Sequence, residues 1–352
     1  MHADIEAIVQ DHYEMHDFSG VCLVKRGDGV LFHEAYGLAH RGFQIPNTLS
    51  TRFDTASITK LFTAVAIWQL IDRGLIGLDT AVMPYLEIAE TAISDDVAIF
   101  HLLTHTSGIA DDADEEAGED YELLFVDKPN YSVRETGDFL PQFAFKPSLF
   151  APGEDARYNN CAFVLLGLVI EKATGVDYRT YVQQQVFARA GMTDSEFCAM
   201  DGINRDLAEG YKAIEQENGS IVWRKNIYSY PPIGSPDGGA TVTALDLDRF
   251  VRSIFSGDLV TVASREMLRS PCILVDETDG IRSMNGFAFA FKVASDGEIL
   301  EIGKDGRNPG VAAQLIYYPA TDTSSIVLAN QDCNVWSMQQ DLKSLLAKDE
   351  SE

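Results

Sequence analysis

Apolar residues recur along this chain with two different periods, and the change from one to the other marks out its architecture. Near the start, Val21, Cys22, Leu23 and Val24 run up to Gly27-Asp28-Gly29, and Val30, Leu31 and Phe32 follow. Short apolar runs on either side of a glycine-bracketed bend predict a hairpin over residues 19–39. Residues 57–72 predict a helix that is apolar on nearly every face, through Leu61, Phe62, Val65, Ile67, Trp68, Leu70 and Ile71, with Gly74 as its stop. A helix of that kind belongs in the centre of the protein. Further helices are expected over 160–173, with Gly175 as stop, over 178–190, and over 243–253 with Thr243 as cap. Strand patterning returns over 287–293, 298–303, 312–318 and 325–330, split by turn residues such as Asp296-Gly297 and Pro319-Ala320, before a last helix near 336–347.

Strands at both ends with helices between them predict one sheet to which both chain termini contribute, and a mostly helical insertion beside it. The expected sheet part covers about residues 1–75 and 240–352, and the helical part about 76–239, within a single unit spanning 1–352.

Composition narrows the function. At 46% hydrophobic and 23% charged, the 352-residue chain has apolar material for a sizeable core. Acidic residues outnumber Lys plus Arg by 54 to 27, a net charge of −27. A surface of that sign repels nucleic-acid phosphates and anionic lipids, so partners of both kinds are disfavoured. Cys22, Cys161, Cys198, Cys272 and Cys333 lie far apart with no CxxC pair, and read as buried hydrophobes. Met1 to Tyr13 is polar and acidic, and no stretch of about 18 apolar residues occurs. The chain as written is therefore expected to be cytoplasmic, the alternative being an exported protein whose signal has been removed.

Candidate chemistry begins with what is missing. No histidine follows His105 and there is no GxSxG, so a Ser-His-Asp triad in α/β-hydrolase order is unavailable. His101 and His105 have the spacing of two metal ligands on a helix, but the glutamate of HExxH and a third ligand are missing. His105 reads instead as part of a turn with Thr106-Ser107-Gly108.

Ser57-Ile58-Thr59-Lys60 is the one SxxK in the chain. Three residues apart on a helix, the two side chains share a face. The helix dipole at that end favours an alkoxide and disfavours a protonated lysine, so a desolvated Lys60 could act as a base for Ser57. Alone the motif is weak, since it arises by chance roughly once per chain of this size. Tyr158-Asn159-Asn160 is the one YxN; the tyrosine hydroxyl can shuttle protons and the Asn160 amide can meet a substrate amide. Its plainer reading is a packed loop tyrosine with Asn160 capping the next helix. Lys304-Asp305-Gly306 offers a cation for a substrate carboxylate and a glycine for close approach, or simply a turn. Lys25-Arg26-Gly27, of the same form, reads as a hairpin bend.

SxxK, then YxN, then KxG, widely separated and in that order, resembles the signature of the penicillin-recognising serine enzymes. This family includes class C β-lactamases, DD-peptidases, D-aminopeptidases and related esterases. The likeness extends to Phe53-Asp54-Thr55-Ala56 before the serine and to Leu102-Leu103-Thr104-His105-Thr106-Ser107-Gly108. It also takes in Pro152-Gly153, Gly238-Gly239 and Pro309-Gly310, and covers roughly residues 18–345. The resemblance implies a β-lactamase/transpeptidase-like α+β fold with an antiparallel sheet. It implies acyl transfer through Ser57, with Lys60 and Tyr158 moving its proton. Asn160 and Lys304 would contact substrate, and an oxyanion hole would form from the backbone N–H groups of Ser57 and of Arg307, after Gly306. No metal or organic cofactor is implied, and the expected partner is a small molecule or short peptide.

The chain departs from the family where a hydroxyl residue usually stands between the KxG lysine and glycine, because Asp305 is there. Strand alternation would turn Asp305 and Arg307 together away from Lys304. A β-lactam or D-amino-acid peptide leads as the expected substrate. The alternatives are a carboxylesterase of the same family, a non-catalytic penicillin-binding or sensor module, and a metallohydrolase using His101 and His105.

Overall fold

The structure, a computed structural model, describes residues 1–257 and 259–349. Its centre is an eight-stranded antiparallel sheet. The strands are β1 (Gly20–Arg26), β2 (Gly29–Tyr36), β3 (Ile273–Thr278), β4 (Ile281–Asn285), β5 (Ala290–Ala294), β6 (Ile299–Asn308), β7 (Val311–Tyr318) and β8 (Thr323–Ala329). Their order across the sheet is β2-β1-β8-β7-β6-β5-β4-β3, so the N-terminal hairpin pairs with the last strand, Gly20 opposite Ala329. Both chain ends build one sheet, as the sequence pattern predicts.

Period-two alternation divides the core between the two faces. Val21 and Leu23 of β1, Leu315 of β7, and Ile326 and Leu328 of β8 face the larger core. Their neighbours Cys22, Val24, Ala312, Val327 and Ala329 face a smaller one. The smaller core is covered by helices α1 (His2–Met15) and α5 (Val335–Asp349), through Ile5, Val9, Val335, Met338 and Leu342. Helix α1 was not evident in the polar N-terminal stretch; it buries only Ile5, Val9 and His12 on one stripe.

The larger core holds α2 (Thr59–Asp72) and α3 (Cys161–Thr174). Helix α2 buries every residue from Thr59 to Leu70, which is why no polar face is written into it. Ser57 itself lies in a 3-10 turn, Ala56–Ile58, just before α2. Helix α3 ends at Gly175 in the left-handed region (φ 70°). Helix α4 (Ala244–Ser256) is capped by the Thr243 hydroxyl, as expected.

Lys304-Asp305-Gly306 lies inside β6, so of its two sequence readings the strand holds and the turn does not. Two features escaped the sequence reading. Two hairpins, Tyr211–Glu215 with Ile221–Lys225 and β3 with β4, occupy stretches whose side chains are largely exposed, so no clean apolar alternation announces them. Residues 178–190 form one helical run interrupted by a π turn at Gln183–Phe187. No helix among the described residues is long and apolar enough to cross a membrane.

Candidate active site

The site forms where β6 outruns its neighbour. Strand β5 starts at Ala290, opposite Gly303, so β6 from Lys304 onward has no β5 partner on that edge. The Ser57 turn fills the vacated edge. A Cβ added to Gly306 would lie 2.1 Å from the Thr55 carbonyl oxygen and 3.0 Å from the Ser57 amide nitrogen. Only glycine lets strand and turn meet so closely. Ala56 adopts φ 44° to make the bend, and Asp54 braces it by accepting the Ala56 N–H at 2.7 Å.

Around the half-buried Ser57 the three motifs converge. The Tyr158 hydroxyl lies 2.7 Å from Ser57 Oγ and Lys60 Nζ 3.1 Å from it. Lys60, fully buried, also donates to Asn160 Oδ1 and to the Asp237 carbonyl, each at 2.7 Å. Lys304 Nζ stands 4.7 Å from the centre of the Tyr158 ring, and Lys60 Nζ 5.0 Å. Two ammonium groups thus flank the phenol and attract negative charge developing on its oxygen.

The surroundings of Lys60 differ from the sequence expectation of a lysine that sheds its proton. Burial does act against its charge, but Tyr158, Asp237 and Glu115 outweigh burial and hold the amine above its ordinary range. In this setting Lys60 is held as an ammonium donor beside Ser57 Oγ.

Asn160 is held between Lys60 and Glu115. Its oxygen is taken by Lys60, and its amide donates to Glu115 Oε1 at 2.9 Å. It does not cap α3. Asp111 does so, its two oxygens accepting the Asn160 and Cys161 N–H groups at 2.8 and 2.9 Å, and Asn159 accepts from Ala162 N–H. Asp111, Glu115 and Asp237 were not singled out from sequence, and no local pattern identifies them.

His105, with φ 59°, packs its ring against Tyr158 at 4.6 Å, while its Nδ1 accepts the Asn159 N–H. Burial, then Lys304 and Lys60, hold it well below the ordinary histidine range, so it is neutral. His101 Nδ1 is engaged by the Ala98 N–H. On the far face of β6, Asp305 and Arg307 are exposed and turned toward α5. Asp305 accepts from Trp336 Nε1 at 3.3 Å, and the Arg307 guanidinium lies 5.9 Å from the Trp336 ring.

Among the described residues, one group could hold a metal: Asp111, Asp112 and Cys161, buried with donor atoms within 4.8 Å of one another. Its chemistry fits a metal poorly. Asp111 is spent as a helix cap, while burial pushes the Asp112 carboxyl and the Cys161 thiol well up, toward their protonated forms.

The chain is similar to known proteins over most of its length. The family described as Beta-lactamase matches residues 5–348. The crystal structure of a penicillin-binding protein from Bacillus halodurans superposes with a TM-score of 0.89 at 38% identity, covering 97% of this chain and 99% of that one. A penicillin-binding protein of Bacillus subtilis (strain 168) is 26% identical over 342 residues, 91% of this chain and 69% of its own. An esterase of Burkholderia gladioli is 32% identical over 248 residues, 62% of this chain and 60% of the esterase.

Proposed function

The chain belongs to the β-lactamase family of serine hydrolases, and from that premise we propose that it cleaves a carboxylic ester or amide through an acyl-enzyme on Ser57. The observation that carries this is the convergence on one oxygen: Tyr158 at 2.7 Å and Lys60 at 3.1 Å from Ser57 Oγ. Tyr158, once ionised, takes the serine proton as Oγ bonds to the substrate carbonyl carbon. The oxyanion is met by backbone N–H groups at Ser57 and Arg307. Tyr158 then protonates the departing alcohol or amine, afterwards takes a proton from the water that attacks the acyl carbon, and passes it to Ser57 Oγ as the acyl–oxygen bond breaks. Acid, product and free serine result. Lys60 stays cationic throughout and steadies charge on both oxygens. Asn160 fixes Lys60, so its part is positioning, and Lys304 serves as the cation above Tyr158. The substrate is a small molecule or short peptide.

A second reading, within the same chemistry, concerns substrate class. Relatives include both penicillin-binding proteins and an esterase. Asp305 faces α5, so residue 305 offers no side-chain donor toward a β-lactam carboxylate. This favours the ester or simple amide over efficient β-lactam turnover. The test is a labelling and turnover pair. A fluorophosphonate should leave a covalent adduct on the Ser57 peptide, and p-nitrophenyl butyrate should be turned over faster than nitrocefin. Absence of any Ser57 adduct with either a fluorophosphonate or a fluorescent penicillin would favour a binding module instead.

A further inference from the structure

An oxyanion hole needs two N–H groups aimed at one oxygen, here that of Ser57 from the turn before α2 and that of Arg307 from β6. Turn and strand meet at Gly306, but contact fixes only how near they come. A chain of three side chains from outside SxxK, YxN and KxG ties them together.

Its middle lies in the loop after Lys225, where the Asn130 amide donates to the Ile227 and Tyr230 carbonyls at 2.8 Å each. Asn226 is buried there, its amide nitrogen 2.0 Å from where a Cβ on Gly210 would lie. That amide donates twice, to the Tyr230 hydroxyl oxygen at 2.8 Å and to the Pro309 carbonyl at 3.0 Å. Pro309 directly follows β6, two residues beyond Arg307. On the other side the Tyr230 hydroxyl donates to Asp54, which accepts the Ala56 N–H at 2.7 Å. Burial, then Asp54, hold that hydroxyl well above its ordinary range, so it keeps the proton it donates. Ala56, immediately before Ser57, sits at φ 44°, a left-handed backbone that is costly for any side chain and needs a brace. The Tyr230 ring packs in one small cluster with Ala56 and Val311, so it touches both walls as well.

The two ends of the chain show what it serves. One reaches the residue before the first oxyanion donor, the other the second residue after its partner. Such donors work only when held about 2.7–3.1 Å from the developing oxyanion, so their mutual angle matters as much as their presence. Resting on the reading of Ser57 as nucleophile, we propose that Asn226 and Tyr230 are positioning residues, which with Asp54 lock the Ser57 turn and the end of β6 into one oxyanion hole. Their effect on the reacting carbonyl runs through the two backbone N–H groups.

The test is Tyr230→Phe, which removes the hydroxyl and keeps the ring. Turnover of p-nitrophenyl butyrate is divided by the Ser57 sites that fluorophosphonate titrates, so a loss of folded protein does not register. Per site, kcat should fall roughly ten- to hundredfold, short of the ~10²–10³ for outright loss of one oxyanion donor. KM should stay within about twofold. Inhibition by 1,1,1-trifluorohexan-2-one, whose hemiketal with Ser57 puts an anionic oxygen in the hole, should weaken by the same factor as kcat/KM. In an Asp54→Ala background Tyr230→Phe should cost little more, because the chain is already broken. Asn226→Asp, which keeps the volume but loses the donor, should lower kcat on the same scale. Where the butyrate is not a substrate, the rate of fluorophosphonate labelling takes the place of kcat, since phosphonylation uses the same two donors. An unchanged rate per site in Tyr230→Phe, or a full additional loss in the Asp54→Ala background, overturns the tie and leaves the nucleophile standing. Failure of both Tyr230→Phe and Asn226→Asp to fold makes the chain a support of the fold and overturns it too. A wild-type protein inert to both butyrate and fluorophosphonate overturns the Ser57 reading, and the tie with it.

Discussion

The phenol oxygen of Tyr158 sits 2.7 Å from the Oγ of Ser57, although 101 residues separate them in the chain. The partner that could relieve the serine of its proton is therefore supplied by the loop before α3, not by the helix that carries the SxxK. Removing that oxygen should cost more than a hydrogen bond. Tyr158→Phe should lower kcat by ~10²–10⁴, the usual range for a lost proton-transfer group, while the melting temperature changes little. Ser57→Ala should abolish adduct formation with fluorophosphonate, read by mass spectrometry of the Ser57 peptide. A phenylalanine variant with full activity would remove Tyr158 from the mechanism.

Gly306 touches the serine turn closely enough that one methyl group has nowhere to go. A Cβ there would lie 2.1 Å from a backbone oxygen, which cannot swing aside as a flexible side chain does. Gly306→Ala should destabilise the fold by about 1–3 kcal/mol, measured by urea denaturation. The larger effect should fall on acylation, because the strand and the Ser57 amide can no longer approach. Unchanged labelling kinetics in a folded Gly306→Ala protein would show that this approach is not needed.

Asp305 breaks the family pattern in sequence but faces away from the chemistry in space. With its carboxylate on Trp336 and its side chain exposed, Asp305→Thr should leave ester hydrolysis within about twofold of wild type, in line with surface substitutions away from special features. Nitrocefin turnover should not rise. A large gain in nitrocefin turnover would mean that residue 305 reaches the cleft after all.

Asp54 carries a pH signature. Burial, outweighing the hydrogen bonds from Ala56 and Tyr230, pushes its carboxyl from the ordinary 3.8 up to about 6. The folded protein therefore holds a proton that the unfolded chain has released. The stability linked to this group is full below 3.8 and declines as pH rises through about 6. Asp54→Asn keeps an oxygen for the Ala56 N–H and carries no charge. Relative to wild type it should gain on the order of 1–2 kcal/mol at pH 8, a figure discounted because the side chain is only partly buried, and little at pH 4. Thermal melts at the two pH values measure this. An equal effect at both would mean that the charge of Asp54 is not what strains the fold.

Much of this was legible in residue order. Near-continuous apolar runs in residues 21–24 and 312–318 marked the strands, because a sheet covered on both faces needs apolar side chains in both directions. The all-round apolarity after Ser57 marked a central helix. The order of SxxK, YxN and KxG picked out the family. Edge elements were less visible. Strand β3 carries Leu274 and Val275 exposed beside Asp276 and Glu277, and α1 packs on one narrow stripe, so burial wrote little pattern into either.

Local sequence thus determined which side chains are available, since periodicity and motif order are properties of neighbours along the chain. Tertiary structure decided what each one does, because charge and hydrogen bonding depend on distances through space. Lys60 meets Tyr158, Asp237 and Glu115 only after folding, and they keep it cationic where its helix position alone suggested a free amine. Asn160 points inward to Lys60 because Asp111 has already capped its helix. The carboxylates of Asp54, Glu115 and Asp237 come from three distant segments. No pattern of near neighbours could announce the field they make together.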